Sequence, residues 1–200
     1  MTDIRDVLSL PWLYRAFQSS IGARDLRSEI ASRYIKTEPG DRILDIGCGT
    51  ADIRSHLGDV AYVGFDPSKE YIESARLKYP DATFHVGSVK NPPRFHCKFD
   101  IALAIGVLHH VADEEAAALF ELASALLSTS GKLITLDPVV VAPPGNYLAN
   151  LVVRSDRGRY VRTELEYTQL AERSFPTSVK SEVRGDLIRL PYNHCVLICG

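Results

Sequence analysis

Glycine turns, strand-end carboxylates and paired imidazoles concentrate at a few points of the chain. Ile43-Leu44-Asp45-Ile46-Gly47-Cys48-Gly49-Thr50-Ala51 is a short apolar run that ends in a glycine turn. Glycines there let the backbone turn tightly and let a ligand approach the main chain. Asp66 closes a second apolar run, Val63-Gly64-Phe65-Asp66, 21 residues beyond Asp45. A carboxylate at the end of a neighbouring strand can accept both hydroxyls of a ribose. Ahead of Pro67-Ser68-Lys69 it can equally be a helix N-cap. His109-His110 offer imidazoles that take up a proton near neutral pH, or that cap loop carbonyls. Asp137, before Pro138, can orient an acceptor group or form a turn. Tyr192, Asn193 and His194 are hairpin polar groups or line the same site.

Other chemistries fit less well. A dinucleotide fingerprint needs Gly or Ala at position 52, where the chain has Asp52, so NAD and FAD are disfavoured. The four cysteines, Cys48, Cys97, Cys195 and Cys199, form no CxxC pair, and no histidine cluster stands at zinc spacing, so no metal site is expected. Asn91-Pro92-Pro93-Arg94 looks like the Asn-Pro-Pro-aromatic motif of amino-methylating nucleic-acid enzymes. It falls before the strand it should follow, and Arg94 replaces the aromatic, so it reads as a loop.

Around these residues the chain alternates between helical and strand-like patterns, which predicts an α/β fold with a parallel sheet. Ala23, Leu26, Ile30 and Tyr34 recur at helical spacing, and Pro39-Gly40 stops that helix. Strands are expected near 42–46, 60–65, 82–86, 99–104 and 132–136, with a helix over 68–79 and another following the glycine turn. Asp113 is the expected N-cap of a helix striped by Leu119, Leu122, Ala123, Leu126 and Leu127 and ended by Gly131. Thr163-Glu164-Leu165-Glu166 is a capping box opening a helix to about Arg173. Two closing strands, 179–188 and 193–199, are joined by a turn too short for a crossover, so they run antiparallel.

Composition sets bounds. The chain has 200 residues, which favours one domain over 1–200, with N-terminal cap helices in 1–38. Its formal net charge of -2 provides no global field for nucleic acid or an anionic membrane. The opening MTDIRDVLSL is too charged for a leader, and the most apolar stretch, 133–153, is broken by prolines, Gly145 and Asn146. A cytoplasmic protein, monomer or homodimer, is the expectation.

Leu44-Asp45-Ile46-Gly47-Cys48-Gly49-Thr50, then Gly64-Phe65-Asp66, then Phe99-Asp100 through Gly106-Val107-Leu108-His109-His110, resemble the class I S-adenosylmethionine-dependent methyltransferases in order and spacing. The resemblance covers about residues 20 to 137 well and the closing strands more loosely. It implies a three-layer α-β-α sandwich on a Rossmann-like seven-stranded sheet of order 3-2-1-4-5-7-6, with the last strand antiparallel. It implies S-adenosyl-L-methionine as cofactor and S-adenosyl-L-homocysteine as product. The cofactor would be held by Asp45, Gly47, Cys48, Gly49, Asp66 and Pro67, by Ser88 and Val89 flanking the adenine, and by Ile105 and Gly106 on the methionine side. Two positions depart from the family. Ala51 stands for the third glycine, and Ser88 for the acid often found near the adenine amino group.

The functional expectation is methyl transfer to oxygen, nitrogen or carbon of a small-molecule acceptor, with His109, His110, Asp137 and His194 as catalytic candidates. The alternatives are a cofactor-binding module without catalysis, acting in a complex, and a nucleic-acid methyltransferase. Residues 138–162 are expected to form a partly helical lid-like insertion that covers the acceptor pocket together with the segment around Trp12 and Tyr14. Its arginines, Arg154, Arg157, Arg159 and Arg162, would then select an anionic acceptor, or form a solvated basic loop.

Overall fold

The computed structural model describes residues 23–141, 150, 158–188 and 191–200. Its strands are β1 (Arg42–Ile46), β2 (Ala61–Asp66), β3 (Thr83–Val86), β4 (Phe99–Ile105), β5 (Leu127–Pro138), β6 (Val179–Arg184) and β7 (His194–Cys199). They form one sheet in the order β3-β2-β1-β4-β5-β7-β6, as expected. β7 runs antiparallel to both of its neighbours, and the other strand pairs are parallel.

Helix α1 (Ala23–Ile30) continues as a π-helical turn over Ala31–Ile35. Helices α2 (Lys69–Lys78), α3 (Asp113–Leu126) and α4 (Glu164–Glu172) complete the layers. The central strands are nearly all apolar because both sheet faces are covered. On one face Leu44, Phe65, Leu133 and Leu197 pack with Leu119, Phe120, Tyr167 and Leu170 of α3 and α4. On the other, Ile43, Leu103, Ile134 and Val196 pack with Ile30, Ile35, Ile72 and Ala75 of α1 and its extension and of α2.

Several helix ends have visible causes. Ser68 caps α2 by accepting from the Tyr71 N–H. The capping box of α4 is complete, with Thr163 and Glu166 each bonding the other's backbone N–H. Three expectations need correction. Asp113 is not the N-cap of α3, because its carboxylate is taken by Arg162, and Ala112 opens the helix without a side-chain cap. Gly131 does not end α3. Leu127 turns to extended backbone and pairs with Phe99, and Gly131 lies inside β5 past a register shift. A Cβ on Gly131 would stand 3.0 Å from the Phe99 carbonyl oxygen. The glycine turn leads into one 3₁₀ turn, Asp52–His56, rather than an α-helix. Ala51 (φ 56) and Gly58 (φ 69) are both left-handed and leave little chain between them.

Trp12, Tyr14, Arg154 and Arg157 lie outside the described residues, as does much of 138–162. The described ends of that segment lie side by side. Val139 bridges Arg162 in parallel, and the Val140 N–H donates to the Arg162 carbonyl. Asn150 bonds both the N–H and the carbonyl of Val141. No helix among the described residues is long and apolar enough to cross a membrane.

Candidate active site

The carboxyl ends of β1, β2, β4 and β5 converge on one edge of the sheet, because parallel strands in register end together. β1 delivers the glycine loop there. The N–H groups of Gly47 and Cys48 both donate to the Phe65 carbonyl, which ties the loop to β2. Gly47 has φ 70, and a Cβ there would stand 2.8 Å from Val107 Cγ2. This is a position where only glycine fits, on conformation and on space. Gly49 (φ 53) faces open space. Ala51 adopts the same left-handed conformation with a side chain, which explains the glycine usual in the family at that point.

Asp66 ends β2 and meets the loop. Its Oδ2 accepts from the Gly49 N–H at 3.0 Å, and its Oδ1 accepts from the Ser68 N–H at 2.8 Å. Asp66 is therefore not the N-cap of α2, which is Ser68, because its carboxylate is taken by the Gly49 N–H of the glycine loop and by the Ser68 N–H of the turn. An ionised carboxylate has about four acceptor sites, so two remain for a vicinal diol. Asp45 is buried beneath the loop and accepts from the Tyr62 hydroxyl. Burial pushes its carboxyl up to about 7; the Tyr62 bond works against this and the charge of Asp66 adds to it. Cys48 packs into the space left by Gly64, where a Cβ would lie 2.8 Å from Cys48 Sγ. Burial raises its thiol well above the ordinary range, so it is an inert filler.

β3 leads into a turn in which Ser88 and Asn91 exchange backbone bonds and the Ser88 hydroxyl accepts from the Asn91 N–H. Asn91-Pro92-Pro93 is thus a loop before β4, as read from its position. Val89 packs against the core. Lys90 reaches Glu115 of α3 at 3.0 Å across this end of the sheet. After β4, Gly106 (φ 72) donates its N–H to the Leu136 carbonyl at 2.7 Å.

His109 and Asp137 are brought together. His109 Nδ1 is 2.8 Å from Asp137 Oδ1, and the His109 backbone N–H donates to the same oxygen at 3.1 Å. Asp137 is 1% exposed, and its Oδ2 has no hydrogen-bond partner. Burial raises the Asp137 carboxyl above the usual range, opposed by its bonds to His109. Asp137 therefore lies behind His109 rather than facing an acceptor. His110 is exposed, its ring centroid 3.8 Å from that of His109. His194 is not part of this group. Asp137 pairs with Cys195, so strand alternation sends the His194 side chain to the opposite face, against Tyr192.

Sequence reasoning missed the coupling between this turn and the segment after 157. Gly158 lies so close that a Cβ there would be 2.3 Å from His109 Cδ2, and the Tyr160 N–H donates to the His109 carbonyl at 3.0 Å. Arg162 is 6% exposed and is spent on the same turn. It bonds the Leu108, Val111 and Tyr160 carbonyls and the Asp113 carboxylate at 2.6 to 3.0 Å. Arg162 is thus an internal clamp and not an arginine offered to an acceptor. Arg159 is exposed and, with Val140, Gly158, Val161, Thr163 and Glu166, lines an open cavity. Among the described residues, no group of three or more His, Cys, Asp or Glu side chains could hold a metal ion.

Residues 43–131 match the family model described as a methyltransferase domain. Over these residues the chain is similar to a methyltransferase domain. This domain is 33% identical over 87 residues to tRNA (carboxymethyluridine(34)-5-O)-methyltransferase of Saccharomyces cerevisiae, covering 43% of this chain and 31% of that protein. It is 22% identical over 144 residues to the uncharacterized methyltransferase sll0829 of Synechocystis, covering 69% and 66%. The chain therefore spans about a third of the first relative's length and about two thirds of the second's. Among solved structures, the magnesium protoporphyrin IX methyltransferase ChlM of Synechocystis with bound SAH superposes with TM-score 0.69 at 18% identity, covering 92% of this chain and 87% of that one. The plantazolicin methyltransferase BamL superposes with TM-score 0.64 at 17% identity, covering 96% and 92%. The chain thus shares the Rossmann-like fold of these solved methyltransferases.

Proposed function

We propose that this protein is a cytoplasmic methyltransferase that binds S-adenosylmethionine and transfers its methyl group to a small-molecule acceptor. The observation that carries the reading is the bond between the glycine loop and Asp66, which keeps two carboxylate acceptor sites for a ribose diol beside an open glycine backbone. The residues present fit the cofactor. Gly47 would keep the loop's tight turn and Gly49, with open space where a Cβ would stand, would admit its close approach; Asp66 would accept from the ribose hydroxyls, Pro67 would bound that site, and the Ser88 hydroxyl would donate on the adenine side. Ile105 and Gly106 close the far side with backbone. When bound, the cofactor supplies an electrophilic methyl on a sulfonium sulfur. The protein's part is alignment of acceptor and methyl, which in favourable cases supplies about 7–11 kcal/mol of the barrier.

Asp66→Ala should weaken S-adenosylhomocysteine binding by roughly 1–3 kcal/mol, the cost of unpaired buried hydroxyls. Calorimetry checks this, and equal affinity of variant and parent would remove Asp66 from the site. The yeast relative's name gives tRNA as its substrate, and this favours a second reading, a nucleic-acid acceptor. The net charge of -2 weighs against it.

A further inference from the structure

We propose that the outer edge of β6 is the interface of a symmetric homodimer, in which β6 pairs antiparallel with β6 of a second copy of this chain about a two-fold axis at Ser181. The pairing uses no part of the candidate active site.

β6 closes the sheet, and among the described residues no further strand pairs with it. The Gly200 N–H donates to the Ser178 carbonyl, which fixes the phase of the β6–β7 ladder. Lys180, Glu182 and Arg184 therefore turn their backbone groups to β7, and Val179, Ser181 and Val183 turn theirs outward. Such an edge is a template for another strand, and proteins guard it with proline, a bulge or a very short strand. β6 is six residues long, has no proline and pairs with β7 without a register shift. The exposed Lys180 is a usual kind of guard, but it repels only a strand that brings no acid to meet it. The opposite edge, β3, is four residues long and has no acidic side chain.

The outward groups sit on odd-numbered residues, so two copies bond only in registers that set odd against odd. With the axis at Ser181, Val179 pairs with Val183 of the second copy, Ser181 pairs with Ser181, and Lys180 stands opposite Glu182 on both sides of the axis. Apolar pairs and pairs of opposite charge are the cross-strand contacts that stabilise a sheet. Val183, 36% exposed, is covered by Val179 of the second copy. Other registers fail. An axis at Lys180 sets that lysine against itself. An axis at Glu182 sets Glu182 against itself and Lys180 against Arg184. An axis at Val183 leaves only 182–184 paired, because the strand ends at Arg184.

The charged groups near the axis come from both faces. Glu182 accepts from Arg33 at 3.0 Å and keeps lone pairs for the incoming lysine. On the other face the Ser181 hydroxyl donates to Glu164 at 2.6 Å. The axis draws two Glu164 carboxylates toward each other, and this acid opposes pairing. β6 runs parallel to β5, since both are antiparallel to β7. The two-fold reverses the second copy, so the two candidate sites open at opposite edges of the joined sheet and neither blocks the other.

Sedimentation velocity on the full chain over a range of concentrations is the test. The parent should show monomer and dimer in exchange, with a Kd on the order of micromolar for so small an interface. Ser181→Pro removes an outward N–H and no bond to β7, a place where edge strands tolerate proline. Lys180→Glu sets acid against Glu182 and changes an exposed side chain, so it carries the test if Ser181→Pro does not fold. Each should weaken the dimer by about tenfold or more, with thermal melts and S-adenosylhomocysteine affinity unchanged in Lys180→Glu. Glu164→Gln should tighten it. The register is read by disulfide formation in a Cys97→Ser background, which removes the exposed native thiol. Ser181→Cys should cross-link to itself under mild oxidation, because paired Cα atoms there lie roughly 5.5 Å apart, and Lys180→Cys should not. A parent that is monomeric even at millimolar concentration overturns the proposal. So does a dimer that Lys180→Glu leaves unchanged, a cross-link through Lys180→Cys in place of Ser181→Cys, or growth beyond a dimer as concentration rises.

Discussion

Asp45 shows how one side chain can hold a cost inside a site. It is buried beneath the glycine loop, with Tyr62 as hydrogen-bond donor and Asp66 nearby in charge. Its carboxyl keeps a proton up to about pH 7 in the folded chain, against 3.8 for an ordinary aspartate. As pH rises between these values, the unfolded state releases the proton and the folded state does not. Asp45 therefore lowers stability progressively from about pH 4 to pH 7. Asp45→Asn keeps an acceptor for Tyr62 and removes the titration. Thermal melts should show the variant gaining on the parent as pH is raised from 4.5 to 8. A difference in melting temperature independent of pH would refute this.

At the scale of elements, the turn after β4 depends on a residue far along the chain. Arg162 satisfies the Leu108, Val111 and Tyr160 carbonyls and pairs with Asp113 at the start of α3. Hydrogen bonds to a charged group contribute about 1.5–3 kcal/mol each, and the carbonyls stay buried when the guanidinium is removed. Arg162→Ala should thus cost at least that much in denaturant unfolding and raise the exchange rate of the His110 amide, which donates to Val107. Arg162→Lys should recover little, because an ammonium cannot reach several carbonyls in the plane of a guanidinium. Wild-type stability in Arg162→Ala would show that the clamp is dispensable.

Taken whole, the chain carries a formal net charge of -2. With Lys+Arg 23 against Asp+Glu 25, any binding to tRNA should be weak and should vanish as salt is raised. Filter binding at physiological salt should show nothing tighter than micromolar. A nanomolar complex would move the nucleic-acid reading ahead of the small-molecule one.

What could be read from the chain was whatever depends on neighbours in sequence. The apolar run ending in Gly47-Cys48-Gly49, the capping box at Thr163 and the short turn before β7 are local patterns, and each maps onto its element because local backbone sterics and caps decide it. The strand order is the one implied by the family that the glycine loop and Asp66 resemble, and its parallel strands leave their carboxyl ends on one edge. Asp113, by contrast, reads locally as an N-cap and is drawn instead to Arg162, 49 positions away. Asp137 reads as an acceptor ligand and is instead buried behind His109, 28 positions away. Such choices turn on which groups are desolvated together. A buried carboxylate or guanidinium takes whatever partner the packed core brings to it, and that partner has no signature in the residues beside it. His194 makes the same point through register. A shift of one position along β7 would carry it to the face of His109, and only the pairing of Asp137 with Cys195 decides against that.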